Sequence, residues 1–153
     1  MRDDKVSSSP LVSERRFPFI IPAGALWPRA RGRIFHALDL TMEVGETLLP
    51  TSRKEFRSWL QKHHADRTEI WLIQYKKATG KPSLDYLEAV EEAICFGWID
   101  GFVKTIDAER YATRFTPRRP RSNWTATNKE RARKLIAMGK MTAAGRKNLP
   151  EDL

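Results

Sequence analysis

FGWIDGFVKTIDAERYATRFTPRRPRSNWTATN, residues 96–128, is the stretch that decides the fold. Gly97 stops a preceding helix. Residues 98–106 then read as one strand, 107–109 as a tight connection and 110–116 as a second strand. On the second strand Tyr111, Thr113 and Phe115 alternate with Ala112, Arg114 and Thr116, the period of two that a half-covered strand requires. Pro117 and Pro120 forbid a continuing central strand and make PRRPRS a stiff, extended connector. A helix begins near Thr125 to Thr127, where Thr127 and Glu130 have capping-box spacing; it buries Ala132, Leu135 and Ile136 and stops at Gly139.

Upstream, Ser52 and Glu55 form a capping box for a helix running to about His63, with Phe56, Trp59, Leu60 and His63 on one side. EIWLIQYK, residues 69–76, is a strand with Ile70, Leu72 and Gln74 on one face and Trp71, Ile73 and Tyr75 on the other. Ser83 is positioned to cap the next helix and Asp85 falls in its first turn. In that helix Leu84, Leu87, Val90 and Ile94 recur at helical spacing, apart from a stripe of Asp85, Glu88 and Glu92. A short helical piece, MTAAGRKNL, ends the chain. The order predicts an α+β domain: a small antiparallel sheet of about three strands with helices on one face. A mostly helical protein with a lone β-ribbon is the alternative, and residues 69–76 argue against it because a two-stranded ribbon alone is marginal.

The chain has 153 residues and a net charge of +9, which bounds it to one domain with an appendage and favours acidic or polyanionic partners. Residues 1–41 read as an irregular N-terminal arm, polar at first and then Pro-bracketed, with the domain proper over 42–153. Met42 is a candidate start of translation, and removing 1–41 is expected to cost little stability. No apolar run approaches the ~20 residues of a membrane span. The single cysteine, Cys95, excludes an internal disulfide framework and a Cys-cluster zinc site, and its apolar neighbours predict an inert buried thiol. His63 and His64 are adjacent and point about 100° apart on a helix, so they make no metal pair. Neither a metal nor a cofactor is expected, and the default compartment is the cytoplasm.

Ten Lys/Arg stand against three acids between Lys104 and Lys134. Arg118, Arg119 and Arg121 sit on the proline-stiffened connector, where their planar forks suit oxyanions and Trp124, Tyr111 and Phe115 offer stacking surfaces. Three readings stay open at this level: a binding surface, an internal clamp onto Glu88, Glu91 and Glu92, and plain solvation. Asp100 accepts from Arg114, fixes a backbone turn or contacts a ligand. Glu88 and Glu92, one turn apart, are a carboxylate pair for acid/base work or a solvated face. The terminal helices superficially suggest a helix-turn-helix, but Ala143, Ala144 and Gly145 offer few base-reading groups.

EIWLIQYKKATGKPSLDYLEAVEEAICFGWIDG, RYATRFTPRRPRSNWTATN and GKMTAAG together resemble the bacterial YdeI/OmpD-associated family, also called bacteriocin-protection proteins, over residues of about 46–145. The resemblance implies a small intracellular α+β protein associated with envelope stress or resistance to antimicrobial peptides. Its hallmark strings GWIDG and TPRRP would place a binding site at Trp98, Asp100, Arg118 and Arg119. Ala143 departs from the family, where many relatives have proline.

The sequence thus yields three functional expectations. The first is a non-catalytic binding protein that uses Trp98, Asp100, Arg114, Arg118, Arg119, Arg121 and Trp124 to hold an acidic protein surface or a polyanion. The second is a small-ligand protein or enzyme with a pocket between the acidic helix and the hairpin, walled by Trp98. The third is a nucleic-acid-binding module.

Overall fold

The computed structural model describes residues 43–153. The arm expected over 1–41 and His36 lie outside them. Four strands and four α-helices follow one another among the described residues: β1 (Thr47–Leu48), α1 (Arg53–His63), β2 (Ile70–Tyr75), α2 (Tyr86–Cys95), β3 (Trp98–Thr105), β4 (Arg110–Pro117), α3 (Ala126–Ala137) and α4 (Ala143–Arg146), with a 3-10 turn at Lys77–Thr79 between β2 and α2.

The three expected strands form an antiparallel unit, β2 pairing β4 from Ile70 opposite Phe115 to Tyr75 opposite Arg110, and β4 pairing β3. The sheet gains a fourth member, β1, which runs parallel to β2 and makes the order β1-β2-β4-β3. Two residues are too few to show a period, so this mixed edge had no sequence signal. The hairpin turn is held by the Asp107 carboxylate, which accepts from the Glu109 and Arg110 amides at 2.9 and 2.8 Å. A bulge interrupts β3, with Gly101 and Phe102 facing the single residue Arg114.

Ser52 caps α1 as its spacing requires, but the reciprocal half of the box shifts by one residue. Glu55 accepts from the Thr51 amide and hydroxyl. Asp85, not Ser83, caps α2; the Ser83 hydroxyl is taken by the Tyr75 amide at 3.0 Å. Likewise Thr125, not Thr127, caps α3. In each case a polar side chain one or two residues away also had cap chemistry, and the site of chain reversal selected between them.

The helices cover one face of the sheet. Ile70, Leu72, Trp98 and Phe115 meet Phe56 and Leu60 of α1, Ala89, Val90, Ala93 and Ile94 of α2, and Ala132 and Leu135 of α3. Phe56 packs on Phe115 with ring centroids 5.5 Å apart, and Trp59 meets Trp98 edge to face at 5.7 Å. Trp71 belongs elsewhere: strand parity turns it to the opposite face, away from this core, where it is nonetheless buried. Two buried polar side chains satisfy each other, the Thr113 hydroxyl donating to Gln74 (2.8 Å) and the Gln74 amide to the Leu84 carbonyl (2.9 Å).

The end of α2 is the junction of the molecule. The Thr142 amide and hydroxyl both donate to the Cys95 carbonyl, at 3.1 and 2.6 Å. Gly145 lies so close that a Cβ there would collide with that same carbonyl and with Met141 Sδ. Gly97 has φ +74, and a Cβ on it would strike Asn148 and approach the Ala144 carbonyl to 3.0 Å.

Candidate functional site

The arginine connector leaves this junction directly. The Arg118 amide donates to the Gly97 carbonyl at 2.8 Å, and the Trp124 indole N–H donates to the Asn148 carbonyl at 3.2 Å. These two anchors fix the ends of a short excursion, 119–123, that turns at Arg119–Ser122 through a 3.1 Å backbone bond. Arg121 takes φ +58, the left-handed region that a residue with a Cβ enters at a cost.

Between the anchors the Arg118 side chain folds inward and is only 5% exposed. Its guanidinium carbon lies 3.8 Å from the centroid of the Trp124 ring, a stacked cation–π contact. Nη1 donates to the Ser122 hydroxyl (3.2 Å) and the Asn123 carbonyl (3.4 Å). Nε and Nη2 are buried without a hydrogen-bond partner among the described residues. Burial pulls the guanidinium down to a pKa of about 10, opposed only by the charge of Asp100 nearby.

Asp100 does not pair with Arg118. Its carboxylate accepts from the Tyr86 hydroxyl at 2.6 Å. Burial first, and then the Asp100 charge and hydrogen bond, push the Tyr86 phenol far above its ordinary value of 10.0; Arg131 pulls weakly the other way. Arg131 in turn donates to the Asn128 side chain at 2.8 Å.

The remaining expected residues separate. Arg114 is on the opposite face of the sheet from Asp100 and donates to Glu69 at 2.7 Å, so the pairing expected between Arg114 and Asp100 does not form. Trp98 is fully buried in the core with its indole N–H on the His64 carbonyl at 3.3 Å, so it walls no pocket. Arg119 and Arg121 are exposed and have no partner among the described residues. Phe115 is a core residue and Trp124 is occupied by Arg118, which leaves neither free to stack on a base.

The internal clamp is corrected as well. The acids of α2 pair with α1: Arg57 reaches Glu92 at 2.8 Å, and Arg53 contacts Glu91, Glu92 (3.3 Å) and Glu88 (4.0 Å). Glu92 is thereby buried as a charge-paired group rather than a free carboxylate. The signal was present, since Arg53 and Arg57 at i, i+4 match Glu88 and Glu92 at i, i+4. Tyr86 was also missed; nothing in sequence spacing says that a helix-start tyrosine meets a strand aspartate.

Cys95 is buried, and burial followed by the Glu92 charge raises its thiol pKa, which keeps it protonated. Among the described residues no three His, Cys, Asp or Glu side chains converge as metal ligands, and no helix is long and apolar enough to cross a membrane. A shallow depression of about 370 Å³ lies on α1 beside Trp59 and His63, lined by α1 residues alone.

Neither the curated proteins nor the solved structures give a match to this chain. A family model described as a domain of unknown function, DUF8412, matches residues 48–148, which take in the sheet from Leu48 onward, all four α-helices and the arginine connector, and the chain belongs to that family.

Proposed function

We propose that this chain is a non-catalytic, cytoplasmic binding protein that holds an acidic protein surface through its arginine connector. One observation carries the reading. The three connector arginines join no ion pair among the described residues, while Glu91 and Glu92, two of the acids expected to neutralise them, pair with Arg53 and Arg57. Two of the three, Arg119 and Arg121, are exposed on a turn that is anchored at both ends. Base stacking finds no support from Trp124 or Phe115, which favours a carboxylate-bearing protein over nucleic acid.

The resemblance of GWIDG and TPRRP to the YdeI/OmpD-associated proteins supplies a setting for the proposal, resistance to antimicrobial peptides or envelope stress. A strain lacking the protein should then survive cationic antimicrobial peptides less well. Unchanged survival removes that setting and leaves the binding reading standing.

The binding test uses a fluorescent polyglutamate peptide and single-stranded DNA of equal charge, measured by anisotropy over a salt series. The peptide should bind more tightly than the DNA and weaken as salt rises. Replacing Arg119 and Arg121 by alanine should cost at least about tenfold in affinity, a little over 1 kcal/mol. Equal affinity of variant and parent would sink the proposed surface, and preference for the DNA would make the nucleic-acid reading the better one.

A further inference from the structure

Arg118 has used every part of its guanidinium but one edge. One face lies on Trp124, and Nη1 is held by Ser122 and Asn123. What remains is Nε and Nη2, the pair whose N–H bonds run parallel and match the two oxygens of a planar carboxylate. A charged group 95% removed from solvent with that edge unpaired is costly to maintain, and Asp100, whose charge reaches it, forms no ion pair with it and accepts from the Tyr86 hydroxyl.

Resting on the reading of the connector as a recognition surface, we infer that the Nε–Nη2 edge of Arg118 is a subsite that takes one carboxylate of the acidic partner. Arg119 and Arg121 meet the rim of that partner, and Arg118 receives a single side-chain carboxylate at its centre, where water is excluded and a charge-assisted pair is strongest. A carboxylate suits the site better than a phosphate because Asp100 already contributes a negative charge nearby. With Asp100 nearby, a monoanion adds one negative charge to the site and a dianion two, so the monoanion is the less opposed. Entry passes the turn at 119–122, whose strained Arg121 and long Nη1 bonds make it the segment most easily displaced.

The experiment observes the Arg118 Nε–H and the Trp124 indole N–H by proton–nitrogen NMR in the full chain. Acetate, glutarate and inorganic phosphate are titrated at constant ionic strength, with chloride as the balancing salt. Glutarate and acetate should move both signals saturably, with phosphate at least tenfold weaker. Arg118→Lys, which keeps the charge and removes the fork, should abolish the carboxylate response at Trp124. Arg119→Ala with Arg121→Ala should retain it, and Asp100→Asn should tighten it severalfold by removing the competing charge. A phosphate response without a carboxylate response overturns the assignment, as does silence of the wild-type Nε–H toward all three anions. Such silence, alongside polyglutamate binding that still depends on Arg119 and Arg121, removes this subsite and leaves the proposed function in place. The wild-type titration needs no variant to fold, so the inference remains testable if Arg118→Lys is unstable.

Discussion

Tyr86 is the residue through which the site touches stability. Its hydroxyl donates to the Asp100 carboxylate in a half-buried setting, a bond worth about 2 kcal/mol by the usual range for charged acceptors. Because the folded phenol ionises above its ordinary value of 10.0, this contribution is complete below that pH and is lost as pH rises past it. Tyr86→Phe should therefore be less stable than the parent at neutral pH, and the gap should close at about pH 11 and above as the unfolded chain gains a tyrosinate. Urea unfolding of both proteins at the two pH values decides this; a gap unchanged at high pH would mean that the hydroxyl stabilises by packing alone. Trp98 is the complementary case. It is fully buried between α1 and the sheet, and Trp98→Ala should cost about 3–5 kcal/mol in the same measurement. The pocket wall expected of it gives way to the core because Trp98 shares strand parity with Asp100, which pairs with the core residue Phe115. The partner of Asp100 was not legible. Strand parity alone excludes Arg114, which shares its face with Trp71 and not with Phe115, but parity cannot say which helix side chain fills the vacancy.

At the scale of elements, periodicity located the long pieces and missed what depends on contact between pieces. The strands at 70–75, 98–105 and 110–117 fall where alternation and breakers put them, because each sheet strand must show its two faces in sequence. The caps of α2 and α3 and the short parallel strand β1 depend on where the chain turns in space, and local spacing does not contain that information. The docking of α4 is of the same kind. Its four residues are too few to hold a helix alone, so the element exists through Thr142 and Gly145 clasping the Cys95 carbonyl at the end of α2. Gly145→Ala should push α4 off that carbonyl and cost about 1–3 kcal/mol or more, because the colliding atom is backbone and cannot turn aside. Since Trp124 donates to Asn148 just beyond α4, the same substitution should disturb the Trp124 indole signal and loosen the Arg118 stack. A Gly145→Ala protein with parental stability and an unmoved Trp124 signal would show that α4 is not what fixes the connector.

Over the whole molecule, charge and fold divide the chain differently. The ten basic residues from Lys104 to Lys134 suggested a single patch, yet Arg114 and Lys129 pair with Glu69 and Asp152 from outside that window, and Arg110 and Arg133 with Asp107 and Glu130 inside it, so the patch thins around the connector. Net charge over a window overstates a binding surface because it ignores which acids the fold brings back from elsewhere in the sequence. Among the described residues the core cluster and the side chains packed on it run from Leu48 to Leu153, and the family match begins at residue 48. A chain beginning at Met42 contains every strand and helix of that core. It should therefore unfold in urea as one cooperative transition, with the Trp98 environment intact by near-ultraviolet circular dichroism. It should also retain polyglutamate binding if the connector alone carries recognition, because Arg118, Arg119 and Arg121 take their anchors from Gly97 and Asn148. A shortened chain without a cooperative transition would show that the domain extends into residues 1–41. A folded shortened chain that has lost the peptide would instead move part of the recognition surface onto the basic residues it no longer carries, Arg15, Arg16, Arg29, Arg31 and Arg33 among them.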